Sequence, residues 1–192
     1  MGKIVVSENV TLDGVVQDPT GEEDFRPGGW FVEFGARDFA EGAQVELDEA
    51  LRAEAVLLGR RSDEWFGTRW TSRTGEWADR LNSLPKYVVS STLEHPAWTN
   101  ATVLNGDVVT EVSKLKQELD GDIVVYASAQ LVHTLLEHDL VDELRLTVYP
   151  VVLGTGERLF GETSGRKPMR LLAARTIGAA LAYLTYEVVQ DA

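Results

Sequence analysis

Two short stretches of this chain carry residue types and spacings suited to holding phosphate. In the first, an apolar run from Ile123 to Tyr126 breaks into Ala127-Ser128-Ala129-Gln130-Leu131 and continues as an amphipathic segment to His138. In the second, Ala55 to Leu58 runs into Gly59-Arg60-Arg61-Ser62. A buried strand that feeds a helix through small residues leaves free backbone N–H groups at the helix start, and these bind anions. Guanidinium groups grip phosphate oxygens in pairs, and Ser62 suits either a helix cap or a phosphate contact. A third strand, Tyr87 to Val89, ends in Ser90-Ser91-Thr92, whose hydroxyls suit a ribose or a 2′-phosphate. Each stretch also has a plain reading, as a surface arginine pair, an ordinary cap or a polar turn. Together they place phosphate-friendly residues at three strand ends, where ligands of open α/β sheets bind. Two such junctions imply a dinucleotide, and hence a reductase.

Asp13 is the sharpest acid, in a turn before Gly14 where a carboxylate could orient a substrate or guide a proton. Its plain reading is a turn former. Trp30, Phe31 and Phe34 could stack on a planar ring or simply close the core, with Glu33 and Asp38 following them. Gly154-Thr155-Gly156 up to Gly161 superficially matches a dinucleotide fingerprint, but its third glycine is misplaced and it reads as a turn. The histidines are His95, His133 and His138, without metal-binding spacing, so no metal site is expected. No G-x-S-x-G occurs, which disfavours a serine hydrolase. Asn9-Val10-Thr11 and Asn100-Ala101-Thr102 match the glycosylation sequon and read as chance matches.

The elements that must position these residues alternate. Strands are expected at Lys3 to Val10, Ala55 to Leu58, Tyr87 to Val89, Thr102 to Leu104, Ile123 to Tyr126 and Glu143 to Val152. Arg170 to Ile177 and Ala180 to Val189 read as a final antiparallel pair. Helices are expected at Gly42 to Arg52, from Ser62 to Phe66, at Glu76 to Leu84, Val108 to Leu119 and Gln130 to His138. Asp18 to Gly29 is a polar loop long enough to be a lid or binding loop. The pattern predicts an α/β fold with a mixed, mostly parallel sheet.

The chain has 192 residues and reads as one domain. It lacks cysteine, which excludes disulfides and a thiolate nucleophile and fits a cytoplasmic setting. The N-terminus does not read as a signal peptide, and no apolar run has membrane-spanning length. With 18 basic and 31 acidic residues the net charge is −13. That argues against nucleic acid or an acidic membrane as a partner.

Taken together, these residues resemble the dihydrofolate-reductase-like superfamily. The nearest group is that of stand-alone proteins similar to the reductase (C-terminal) domain of the bifunctional riboflavin-biosynthesis enzyme. The resemblance covers nearly the whole chain. It is carried by Val10-Thr11-Leu12-Asp13-Gly14, Leu58-Gly59-Arg60-Arg61-Ser62, Leu84-Pro85-Lys86-Tyr87-Val88-Val89-Ser90, Ser128-Ala129-Gln130-Leu131 and Leu140 to Arg145 leading to Pro150 to Gly154. It implies a three-layer α/β/α fold with NADPH across the strand ends. Gly59, Arg60, Arg61 and Ser62 would then meet the 2′-phosphate and pyrophosphate. Ser90 and Ser91 would flank the adenosine, and Ala127, Ser128, Ala129, Gln130 and Leu131 would meet the pyrophosphate and nicotinamide side. Val10 to Gly14 would lie by the nicotinamide, Asp13 would be the acid or orienting group, and Trp30, Phe34, Trp65 and Tyr126 would shape the substrate pocket. The implied activity is hydride transfer to a C=N or C=O carbon, nominally the pyrimidine reduction of riboflavin biosynthesis. A pterin reductase and a non-catalytic nucleotide-binding protein are the alternatives. The chain departs from its relatives at Ala127-Ser128, where dihydrofolate reductases commonly carry Gly-Gly. It also departs at Tyr126 and at Phe66-Gly67-Thr68, where riboflavin-pathway reductases tend to carry an acid and an Asp-Asp-Pro. A homodimer through Leu144 to Val152 is a further expectation of the resemblance, with an interior strand as the alternative.

Overall fold

A computed structural model describes residues 1–189 of the chain. Its centre is an eight-stranded sheet in the order β4-β3-β2-β5-β1-β6-β8-β7. The strands are β1 (Lys3–Thr11), β2 (Ala53–Gly59), β3 (Lys86–Val89), β4 (Ala101–Leu104), β5 (Asp122–Tyr126), β6 (Glu143–Tyr149), β7 (Met169–Ile177) and β8 (Leu181–Val188). All neighbouring pairs from β4 across to β6 are parallel, and β8 runs antiparallel to both β6 and β7. Among the described residues the helices are α1 (Trp30–Gly35), α2 (Phe39–Arg52), α3 (Arg60–Trp70), α4 (Glu76–Ser83), α5 (Val108–Glu118) and α6 (Ala129–Glu137).

The central strands are covered on both faces, which is why they read as unbroken apolar runs. Ile4, Val6, Leu57 and Val125 pack on one face against Val112 and Leu115 of α5 and Leu131 and Leu135 of α6. Val5, Val56, Leu58 and Val124 pack on the other against Ala50 of α2, Phe66 of α3 and Leu81 of α4. The result is three layers, with the carboxyl ends of β1, β2, β3 and β5 opening on one side.

Three expectations change. The helix after Gly59 begins at Arg60, so Ser62 lies inside its first turn and Gly59 occupies the cap position. The strand from Glu143 ends at Tyr149, because Pro150 has no N–H to give the ladder and Val151 N–H instead bonds the Tyr149 carbonyl. That strand is paired on both sides, with β1 and β8, so it is the interior strand that the sequence offers as one of its two readings. Finally, the aromatic group at Trp30 forms the short helix α1, which packs with Tyr149, Ile177 and Leu181 as a separate small cluster. Among the described residues no helix is long and apolar enough to cross a membrane, and no cluster of side chains could hold a metal ion.

Candidate functional site

The strand ends open into a cleft of ≈ 1090 Å³. At β2, the chain passes through Gly59 in extended geometry directly into α3, and no side chain caps the helix. At β5, it passes through Ala127 and Ser128, with φ of 51° and 65°, into α6, whose start is likewise uncapped by a side chain. Both helices therefore present free N–H groups at the cleft, where an anion is favoured. Gly59 to Ser62, Ser90 to Thr92 and Ala127 to Leu131 all line it. Ser62 is buried and takes a 2.8 Å hydrogen bond from the Ser128 hydroxyl. Arg60 pairs at 3.4 Å with Glu64, one helical turn on, and both side chains are half exposed, so the pair is easily exchanged for a stronger anion. Ser90 closes its own turn, accepting from the N–H groups of Thr92 and Leu93, which leaves Ser91 as the freer hydroxyl.

The inner end of the cleft is acidic and aromatic. Ser7, Glu8 and Asn9 of β1 meet Glu46 and Glu49 of α2, with Tyr126, Thr147 and Tyr183 around them. Burial pushes the Glu46 carboxyl up to about 7, against a 3.4 Å hydrogen bond from Asn9. Burial, and then Glu49, hold Glu8 well above the usual carboxylate range. Glu49 pairs at 3.3 Å with Arg145, which also binds Asp122 at 2.8 Å and Glu143 at 2.7 Å. The outer wall is aromatic, from Trp65 and Phe66 to Trp70 and Trp77. Arg69 lies over Trp65 at 4.8 Å and Arg73 over Trp70 at 4.2 Å. The loop from Asp18 reaches this wall through a 3.0 Å ion pair between Glu22 and Arg69. Buried Asp18 holds the loop's shape by accepting from the N–H groups of Glu22 and Phe25.

Trp65 and Tyr126 thus stand where the sequence places them, on the cleft wall. Five other expected site residues do not line it. Val10 is buried in the core and Gly14 sits in the turn after β1. The Asp13 carboxylate accepts from Thr11 Oγ1 and from the N–H groups of Leu153 and Gly154. These bonds, the Thr11 hydroxyl foremost, pull it down to about 2, so it is a permanent anion tying two turns together. Trp30 is 1 % exposed, with its indole N–H on the Gln17 carbonyl and its ring edge-on to Tyr149. Phe34 packs in the same cluster, and Phe31 and Phe39 reach the cleft instead. Glu33 is exposed on α1, and Asp38 binds the N–H groups of Ala179 and Ala180 in the β7–β8 turn. The acids that do face the cleft, Glu8, Glu46 and Glu49, are ones the sequence reading passes over. Their signal is faint: Glu46 and Glu49 lie three apart on one helix, Glu49 beside the core residue Ala50.

The match to a family model decides the lineage, since the RibD C-terminal domain matches residues 2–183. The chain belongs to the RibD C-terminal domain family. It is similar to the uncharacterized protein YyaP of Bacillus subtilis (strain 168), with 29% identity over 96% of this chain and 94% of that one. In fold it is similar to a putative riboflavin biosynthesis protein from Shewanella sp. PV-4, with TM-score 0.77, 20% identity and coverage of 98% and 99% of the two chains. A dihydrofolate reductase from Enterococcus faecalis, described as complexed with NADP(H), matches with TM-score 0.62 and 14% identity over 98% and 97% of the chains. The sheet and its helices are therefore those of the dihydrofolate-reductase-like fold, as the motifs imply.

Proposed function

We propose that this RibD C-terminal domain protein is an NADPH-dependent reductase. It acts on a C=N or C=O carbon of a small heterocyclic or sugar-derived substrate, nominally the pyrimidine of riboflavin biosynthesis. The observation that carries this reading is the pair of uncapped helix starts, α3 and α6, opening into one cleft beside Arg60 and Arg61. The donor set fits a dinucleotide: backbone N–H groups at both junctions for the pyrophosphate, guanidinium groups for a 2′-phosphate, and Ser91 beside them. When bound, NADPH supplies a hydride. The chain's own residues position the substrate and supply the proton. Glu46 replaces Asp13 as the acid, because its carboxyl keeps its proton to about pH 7 and lines the cleft. Phe31, Trp65 and Tyr183 give a planar substrate aromatic walls and keep water away from it.

Glu46 beside Asn9 also favours a second reading, a pterin reductase, since buried carboxyl groups suit a ring that presents N–H donors. Dihydrofolate-dependent consumption of NADPH tests it. A cytoplasmic setting is part of the proposal under either reading, since a chain without cysteine suits a reducing compartment.

The deciding experiment is a titration with NADPH and with NADH, read by tryptophan quenching. Preferential binding of NADPH is expected, and Arg60→Ala should weaken NADPH more than NADH by about tenfold. Equal losses for the two would remove Arg60 from the 2′-phosphate. Saturable binding with no turnover on pyrimidines, pterins or small carbonyls would leave a nucleotide-binding protein that has kept the fold.

A further inference from the structure

One side chain joins the two strand-end junctions. Ser128 occupies the position before α6 where a serine ordinarily accepts from the helix's own first turn. Its hydroxyl turns away from α6 instead. It accepts from Gly59 N–H at 3.0 Å and donates to Ser62 Oγ at 2.8 Å, with the Tyr126 carbonyl at 3.2 Å. This arrangement requires left-handed backbone at Ala127 and Ser128 in succession. That conformation costs a non-glycine residue about 1–2 kcal/mol. A glycine would avoid the cost but would lack the hydroxyl. With its oxygen accepting from Ser128, buried Ser62 keeps its own proton to donate into the cleft that both residues line. Gly59 N–H, Ser128 and Ser62 thus form a chain of donors, each strengthening the next.

We infer that Ser128 is a positioning residue of the nucleotide site. It fixes the start of α3 against the start of α6 and turns the Ser62 hydroxyl toward a phosphate oxygen of the ligand. This inference rests on the nucleotide reading above.

The test compares NADPH affinity and melting temperature for wild type, Ser128→Gly, Ser128→Ala, Ser62→Ala and the Ser62→Ala/Ser128→Ala double variant. Ser128→Gly is expected to melt close to wild type, because glycine takes the left-handed backbone freely. It should bind NADPH about tenfold more weakly. Ser62→Ala should lose a similar factor, and the double variant should lose no more than either single one, since the two hydroxyls act as one unit. A merely structural serine would lower the melting temperature while the folded protein kept its affinity, and that result overturns the inference. So does unchanged affinity in both Ser128→Gly and Ser128→Ala, with the cofactor reading left standing. Should Ser128→Gly fail to fold, Ser128→Ala, which keeps the Cβ, gives the same comparison. A folded wild type that binds no NADPH removes the cofactor reading and this inference with it.

Discussion

Glu46 and Asp13 are both carboxyls close to β1, and their surroundings drive them in opposite directions. Asp13 collects three hydrogen bonds and is held down to about 2, whereas burial raises Glu46 to about 7 from 4.5. Folded-state Glu46 therefore binds more protons than the unfolded chain between those two values, and stability falls as pH rises across the window. The cost is absent below the lower value and fully present above the upper one. Glutamine keeps the shape and cannot ionise. Glu46→Gln is expected to match wild type at about pH 4.5 and to exceed its stability by about 1–3 kcal/mol at about pH 8. Urea unfolding at the two pH values measures this. A variant less stable than wild type at the higher pH would mean that the ionised carboxylate has a favourable partner in the fold. If Glu46 also supplies the proton, the same variant loses turnover while still binding NADPH.

At the scale of elements, α3 is fixed by contacts that local sequence does not reveal. Its buried Asp63 carboxylate accepts from Ala97 N–H at 2.7 Å and Trp98 N–H at 3.1 Å. Phe66 stacks on Trp98 with ring centroids 4.9 Å apart. Between them Gly67 lets the helix lie against the 97–98 backbone, where an added Cβ would overlap Ala97 and Trp98. Gly67→Ala is accordingly expected to destabilise by about 1–3 kcal/mol although alanine favours helix, because overpacking outweighs propensity. Thermal unfolding measures the loss, and a gain in stability would mean that α3 lifts away freely. The same contrast explains what the sequence disclosed. The strands and most helices were legible because burial on both faces leaves apolar runs and burial on one face leaves a helical period. The helix starts after β2 and β5 were legible because each junction is built from consecutive residues at a strand end. The acidic end of the cleft was not, because it assembles β1, α2, β6 and β8, and an acid on α2 looks solvated until the sheet covers it. Trp30 misled for a related reason: the turn into α1 points it inward against Tyr149, which lies more than a hundred residues away.

The whole molecule carries a net charge of −13, and the ligand proposed for its cleft is itself a polyanion. At the cleft itself Asp18, Glu23, Glu49, Glu64 and Glu157 face Arg60, Arg61, Arg69 and Arg73, while burial shifts Glu8 and Glu46 toward their neutral forms. Two of those arginines are already engaged, Arg60 with Glu64 and Arg69 with Glu22. At an ionic strength of about 0.01 M the field reaches about 30 Å, so an approaching dinucleotide meets the repulsion of the whole protein before it meets Arg61. At about 0.15 M the reach falls to about 8 Å and only the junction residues are felt. The rate of NADPH association is therefore expected to rise between these salt concentrations, the reverse of a cleft that steers its anion in. Stopped-flow quenching of tryptophan fluorescence measures it. A rate that falls with salt would mean that the arginines of α3 dominate the local field. Capture would then be guided from a distance, and the short-range donors, the Ser62 hydroxyl and the N–H groups at the starts of α3 and α6, would select only after the ligand had arrived.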